Sequence, residues 1–245
     1  MVYTYYIDVT QFEDRNLYQE KLRLLSPCRQ KRIAQLKLEK DRQRSLGAGL
    51  ALDYALGIYG SGLRERDMEY VFGEWGKPSF RDYPEIHFSL SHSGDYALCS
   101  IGECPVGNDI ERIRSGKLKV AERFYTEQEL EFLYRRQEDA ENIQKVCVEG
   151  VKEYGGIDEE EVTKRMFRMW TMKESFLKVT GQGMTLPLKD FSVIVDAKTD
   201  TARVEYGSGN AVYRMKEYED IPGYRAAVCC QADSETAENM EPVVF

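Results

Sequence analysis

Twice along this chain a stretch of helical periodicity gives way to a train of short strand-like runs. That order restricts the fold more than any other feature. In the first half, Met1–Asp8 reads as an opening strand. Asn16–Leu25 and Arg29–Leu38 read as helices, with Ser26-Pro27 as the cap and first position of the second. Asp41–Tyr59 is a longer helix, with Leu46, Leu50, Tyr54 and Leu56 at helical spacing. Strands follow at Glu69–Phe72, Ile86–Ser91, Tyr96–Ile101 and Val106–Ile113, and Ser93-Gly94-Asp95 marks a hairpin turn. The second half repeats the theme, with helices at Ala121–Arg136 and Glu160–Thr180. Its strands are expected near Phe191–Val195, Ala202–Glu205, Ala211–Met215 and Tyr224–Cys230. Helices followed by antiparallel strands make the class α+β. The boundary is expected near Gly102–Val106, giving halves 1–104 and 105–245. Gln137–Glu161, with Gly155-Gly156 and the acidic run Glu159–Glu161, reads as a solvated helical insertion.

The net charge of −8 argues against binding nucleic acid through a global basic field. No apolar run is long enough to span a membrane. The N-terminus has neither the basic nor the apolar region of a signal peptide, which points to the cytoplasm. The six cysteines form no C-x-x-C pair and are expected to be reduced, with Cys99 and Cys229 as small core residues. With only two histidines, His87 and His92, a His-rich zinc site is not expected. Gly57, Gly60 and Gly62 follow a helix rather than a strand and lack the third glycine of a dinucleotide fingerprint.

Chemistry concentrates in two distant segments. On the strand Val106–Glu111, Asp109 and Glu111 point the same way. On the helix Trp170–Lys178, Trp170, Glu174 and Lys178 share one stripe. Three carboxylates from a strand and a helix can hold a hard cation, and a neighbouring lysine suits a phosphate. The combination suggests Mg²⁺-assisted chemistry on a phosphate ester. The plainer alternative for Glu174 and Lys178 is a helix ion pair worth a few tenths of a kcal/mol. Asn108 should face away from Asp109 and, if buried, needs partners for its amide.

A third segment completes a resemblance. Gly76-Lys77-Pro78, then Ser89-Leu90-Ser91-His92-Ser93-Gly94, then Gly107-Asn108-Asp109-Ile110-Glu111, then Trp170-Thr171-Met172-Lys173-Glu174-Ser175-Phe176-Leu177-Lys178, resembles the 4′-phosphopantetheinyl transferases. The stretch Gly181–Leu188 is similar to the larger, surfactin-type subfamily. The resemblance implies two similar α+β halves related by a pseudo-twofold axis, with the active site between them in a monomer. It implies transfer of the phosphopantetheine arm of coenzyme A to a serine of an apo acyl or peptidyl carrier protein. It assigns Mg²⁺ to Asp109, Glu111 and Glu174, a general-base role to Glu174, and pyrophosphate contact to Lys178. Coenzyme A is expected to meet Arg44, Ser91 and His92 at its 3′-phosphate, Lys77 and Pro78 beside its adenine, and Arg29 and Arg32 as further basic contacts. Asn108 departs from the family, which carries an apolar residue there, and Trp170 reads as packing. Two other readings use the same residues: a Mg²⁺-dependent pyrophosphatase acting on coenzyme A, and a non-catalytic module that binds the carrier. Carrier docking is expected at Arg114, Lys117 and Lys119, with Met184 and Leu186 as apolar contacts.

Overall fold

A computed structural model describes residues 1–60, 62–115, 118–135, 157–207, 211–232 and 240–244. The α+β class holds. In the first half β1 (Val2–Asp8) leads to helices α1 (Arg15–Leu22), α2 (Pro27–Gln35) and α3 (Glu39–Tyr59). Asp14 caps α1 by accepting from Asn16 N and Leu17 N. Ser26 caps α2 by accepting from Arg29 N, with Pro27 in its first turn. Strands β2 (Tyr70–Phe72), β3 (Pro78–Phe80), β4 (His87–Ser93) and β5 (Tyr96–Gly102) follow. The expected strand near residue 70 does not join the main sheet. It pairs with β3 as a separate two-stranded ribbon.

The second half starts with β6 (Val106–Arg112). The single helix expected over Ala121–Arg136 is two, α4 (Leu118–Phe124) and α5 (Glu127–Tyr134). The break is chemical. Thr126 and Glu129 form a reciprocal capping box, so a new helix starts where the apolar period alone runs on. Helix α6 (Glu159–Thr180) begins at the Asp158 cap. The acidic run Glu159–Glu161 is its first turn, where negative side chains complement the helix dipole. Residues 137–156 of the expected insertion lie outside the described residues. Strands β7 (Phe191–Val195), β8 (Ala202–Tyr206), β9 (Val212–Tyr218) and β10 (Tyr224–Ala232) form an antiparallel meander that ends against β6. The last strand, β11 (Met240–Val244), pairs in parallel with β1, so the segment 105–245 also supplies an edge of the first sheet.

Each half packs one long helix on one sheet. Helix α3 lies on β1, β4 and β5, with Leu46, Leu52 and Leu56 fully buried. Helix α6 lies on β6 and β10, with Met169, Met172 and Phe176 fully buried. Cys99 and Cys229 are buried core residues, and the cysteines among the described residues are free. Trp170 packs edge-on against Phe124, as a packing residue should.

The two sheets meet at β4 and β6, and the serines of β4 join them. Ser89 Oγ accepts from Asn108 N at 3.0 Å and Ser93 Oγ accepts from Arg112 N at 3.1 Å. Alternate serines thus give the β6 edge the partners a neighbouring backbone would supply. Asn108 is fully buried and takes part. Its amide donates to Ser89 O and to Ser100 Oγ, both at 3.0 Å, while its Oδ1 has no partner among the described residues.

Strand β6 also lies unusually close to α6. A Cβ on Gly107 would collide with Ser175 O and stand 2.6 Å from Val179 N and 2.9 Å from the Lys178 carbonyl carbon. These are backbone atoms, which cannot swing aside. Gly107→Ala is therefore expected to cost about 1–3 kcal/mol, by overpacking. Urea unfolding should show a lowered midpoint with little change in slope. A midpoint equal to that of the parent would mean the two backbones are not locked together there.

Candidate active site

Gly107 matters because the residues on either side of that contact are the chemical ones. Lys178 Nζ donates to Asp109 Oδ1 and to Asn108 O, each at 2.8 Å. The lysine therefore pairs across to the strand rather than with Glu174 one turn earlier, and the plain helix ion pair is not what forms. Asp109 is 7% exposed and its Oδ2 has no partner among the described residues. Burial, with the like charges of Glu174 and Glu111, pushes its carboxyl up to about 7 against the opposing pull of Lys178. Glu174 is partly buried. Burial and Glu111 raise its carboxyl above the usual range, again against Lys178. Glu111 accepts from Ser93 Oγ at 2.8 Å and lies 3.5 Å from Arg114 Nη2.

The three acids thus share one electrostatic field. They do not close into a ready cage: among the described residues no group of three or more His, Cys, Asp and Glu could hold an ion by itself. The arrangement is instead short of positive charge, with a buried orphan oxygen on Asp109. Such a set fits a hard cation that takes its remaining ligands from water and substrate phosphate.

Lys178 also lines a cleft of about 340 Å³. Arg29, Arg32, Lys77, Pro78 and His92, to which the family resemblance assigns coenzyme A contact, line it too. Two expected contacts sit elsewhere. Ser91 is buried and does not line the cleft; with Ser89 and Ser93 it occupies alternate positions of β4, and its Oγ has no partner among the described residues. Arg44 does not line the cleft either. Its Nε donates to Gly94 O at 2.8 Å and its Nη1 to Asp41 at 2.9 Å. Its neighbour Ser45 lines the cleft instead, and so do Tyr70, Phe72 and Trp75. Charge is the sequence signal for a phosphate contact, and neither the Ser45 hydroxyl nor the aromatic side chains at Tyr70, Phe72 and Trp75 carry it.

Lys77 differs from expectation in what its ammonium does. Nζ donates to the carbonyls of Lys178 at 2.5 Å, Val179 at 3.2 Å and Val106 at 3.1 Å. A cation from the first half thus caps the C-terminus of α6 in the second, where the helix dipole is negative. Burial pushes this ammonium down to about 8. The helix then ends at Gly181, whose φ of 72° is left-handed. His92 is held below the usual imidazole value by burial against the cleft wall, and by Arg44 and Lys178.

The expected docking residues divide. Met184 is 66% exposed beside the cleft, whereas Leu186 is 6% exposed and packs in the core with Leu188 and Phe191. Leu186 therefore cannot serve as a surface contact. Arg114 and Lys119 are exposed, and Lys117 lies outside the described residues.

Comparison with known proteins places this geometry. The family model of the 4′-phosphopantetheinyl transferase superfamily matches residues 105–229, just over half of the chain and the stretch holding Asp109, Glu111, Glu174 and Lys178. The chain is 29% identical to 4′-phosphopantetheinyl transferase Sfp of Bacillus subtilis (strain 168), over 89% of each protein. It is 33% identical to 4′-phosphopantetheinyl transferase ffp of Bacillus subtilis, over 68% of this chain and 65% of that one. It is 29% identical to 4′-phosphopantetheinyl transferase gsp of Aneurinibacillus migulanus, over 96% of this chain and 89% of that one. No helix among the described residues is long and apolar enough to cross a membrane. Its motifs, its α+β architecture and these matches agree, and the chain belongs to the 4′-phosphopantetheinyl transferase superfamily.

Proposed function

We propose that this protein transfers the 4′-phosphopantetheine arm of coenzyme A to a serine of an apo acyl or peptidyl carrier protein. The observation that carries the reading is the position of Lys178. It stands at once on the wall of the cleft and against Asp109, so a pyrophosphate lying in the cleft reaches the acids. The serine oxygen bonds to the phosphorus bearing the pantetheine arm, and the bond from that phosphorus to the bridging oxygen breaks. Adenosine 3′,5′-bisphosphate departs. Glu174 accepts the serine proton, and burial with the like charge of Glu111 raises its affinity for protons, the direction a general base needs. Lys178 neutralises charge on the leaving phosphate. Asp109, Glu111 and Glu174 are the residues that would hold Mg²⁺, which supplies charge stabilisation for the crowded phosphate oxygens. His92 and Ser45 stand where the 3′-phosphate end would lie, with Arg44 behind them, and Pro78 and Trp75 beside the adenine. Lys77 positions Lys178 rather than touching substrate.

In this reading one chain completes the site. Residues 1–104 supply Arg29, Lys77 and His92 and residues 105–245 supply Lys178, so the protein acts as a monomer, in the cytoplasm. Its partners are coenzyme A and the carrier; nucleic acid and membrane have no part.

Protons should compete with the cation at Asp109. With its carboxyl at about 7, the apparent Mg²⁺ affinity should weaken by up to about tenfold per pH unit below that value. The stability of the cation-free protein moves in the opposite direction. A raised folded-state value means the Mg²⁺-free protein loses stability as pH rises from about 4 to about 7, and Mg²⁺ should restore it. Calorimetric Mg²⁺ titrations between pH 6 and 8 check this, and a pH-independent affinity would contradict it. The reaction itself is tested by chromatographic assay of adenosine 3′,5′-bisphosphate. Release that requires apo carrier supports transfer. Release without carrier would mean a hydrolase, and no release a binding module.

A further inference from the structure

We infer that Glu65 is a positioning residue: it holds Arg29 rigidly in the cleft wall as a preset donor for a phosphate of coenzyme A. The inference rests on the placing of coenzyme A in that cleft. Glu65 opens the one-turn helix Glu65–Asp67, and its side chain is fully buried. Its carboxylate collects four donors. Ser26 N lies at 2.6 Å, Ser26 Oγ at 3.0 Å, Arg29 Nε at 2.9 Å and the Tyr70 hydroxyl at 2.5 Å. The acid is itself fixed from behind, because its backbone N donates to Asp53 Oδ1 at 2.9 Å and Arg64 pairs with the same Asp53.

A buried carboxylate is costly, and an ion pair with the same shape made of apolar groups is often as stable. Capping does not require it, since Ser26 Oγ already accepts from Arg29 N at 3.3 Å. What the carboxylate does achieve is to immobilise one guanidinium. Arg29 has Nε on Glu65 and Nη2 on the Tyr70 hydroxyl at 3.0 Å, with its Cζ 5.4 Å from the centre of the Tyr70 ring. Nη1 is left without a hydrogen-bond partner among the described residues, on a side chain that lines the cleft. Arg32, one turn further on α2, also lines the cleft but is exposed and has no such anchor. The helix therefore offers two cations of different kinds. Arg32 contributes mobile charge. Arg29, its charge largely balanced by Glu65, contributes direction, and a donor fixed in advance loses less freedom on binding.

The test is a pair of variants and their combination. Glu65→Gln keeps the shape but has one acceptor oxygen where four donors converge, so Arg29 is released. It is expected to raise the KM for coenzyme A about tenfold, as loss of a charged hydrogen bond does. The kcat and the carrier KM should stay within about twofold, because uniform substrate binding is what is lost. Arg29→Ala should show a similar loss, and the double variant no more than either alone, because Glu65 acts through Arg29. Calorimetric dissociation constants for adenosine 3′,5′-bisphosphate should follow the same pattern. If Glu65→Gln does not fold, Tyr70→Phe removes the other Arg29 anchor and should raise the coenzyme A KM by a smaller factor. A coenzyme A KM unchanged in the folded variants, losses that multiply in the double variant, or tighter binding on removing Glu65 would overturn the inference. A parent protein that modifies no carrier, yet binds the bisphosphate with this non-additive pattern, would overturn the transfer reading and leave the role of Glu65 standing.

Discussion

Asp109→Ala is expected to lower the rate of Mg²⁺-dependent transfer by about 10²–10³-fold while leaving the fold intact, since losing a metal ligand removes several kcal/mol of transition-state stabilisation. The separation of the two effects comes from the local structure. Asp109 is buried with one oxygen unpaired, and its carboxylate is disfavoured by burial and by two neighbouring acids. Removing it takes away a group the folded protein holds reluctantly. Lys178 keeps its bond to Asn108 O at 2.8 Å, and its side chain is 31% exposed, so water can reach the released charge. The thermal midpoint should therefore change little. Turnover near that of the parent, in a folded variant at limiting Mg²⁺, would remove Asp109 from the metal site.

Glu129→Ala should have the opposite profile, a loss of about 3–5 kcal/mol of stability, because a buried ammonium is left without its partner. Glu129 and Lys173 are both fully buried, with Nζ 2.6 Å and 2.8 Å from the two carboxylate oxygens. Each has further partners. Glu129 accepts from Val193 N at 2.8 Å and Thr126 N at 2.9 Å, and Lys173 donates to Phe191 O at 3.2 Å. One ion pair thus ties the start of α5, the middle of α6 and β7. Its place is also functional, because Lys173 precedes Glu174 and fixes the turn of helix that presents it. Replacing both residues together, Glu129→Leu with Lys173→Met, should recover most of the stability lost by the single change. Guanidinium unfolding of the three proteins measures this. A single variant within about 1 kcal/mol of the parent would place the pair among the weak, solvent-screened kind.

The parts of this molecule that were legible in its sequence are those governed by local periodicity. Helices α3 and α6 and the hairpin β4–β5 appear where apolar spacing and the Ser93-Gly94-Asp95 turn put them. Asp109 and Glu111 share a strand face because side chains alternate, and that also needs no tertiary information. What was not legible depends on distant contacts. The pairing of Lys178 with Asp109 joins α6 to β6 across 69 residues of sequence, whereas the helix alone offers Glu174 as the partner. The Lys77 ammonium is drawn to the end of α6 by carbonyls that no local pattern reveals. Leu186 looks like one more apolar residue in a glycine-rich loop until the core with Leu188 closes over it. One miss was avoidable. Thr126 and Glu129 spell a capping box three residues apart, a helix-start signal that outweighs the continuing apolar period. Strand β11 could not be placed from sequence, because its partner β1 lies at the other end of the chain.

The cleft and the acids beside Lys178 are expected together to move a phosphopantetheine onto a carrier serine. Intact-mass spectrometry of an apo carrier protein, after incubation with this protein, coenzyme A and Mg²⁺, tests it most directly. The carrier should gain the mass of one phosphopantetheine arm, while a carrier with that serine changed to alanine, or the Asp109→Ala enzyme, should yield no such gain in the same time. A serine carrier of unchanged mass while coenzyme A is consumed would contradict the account.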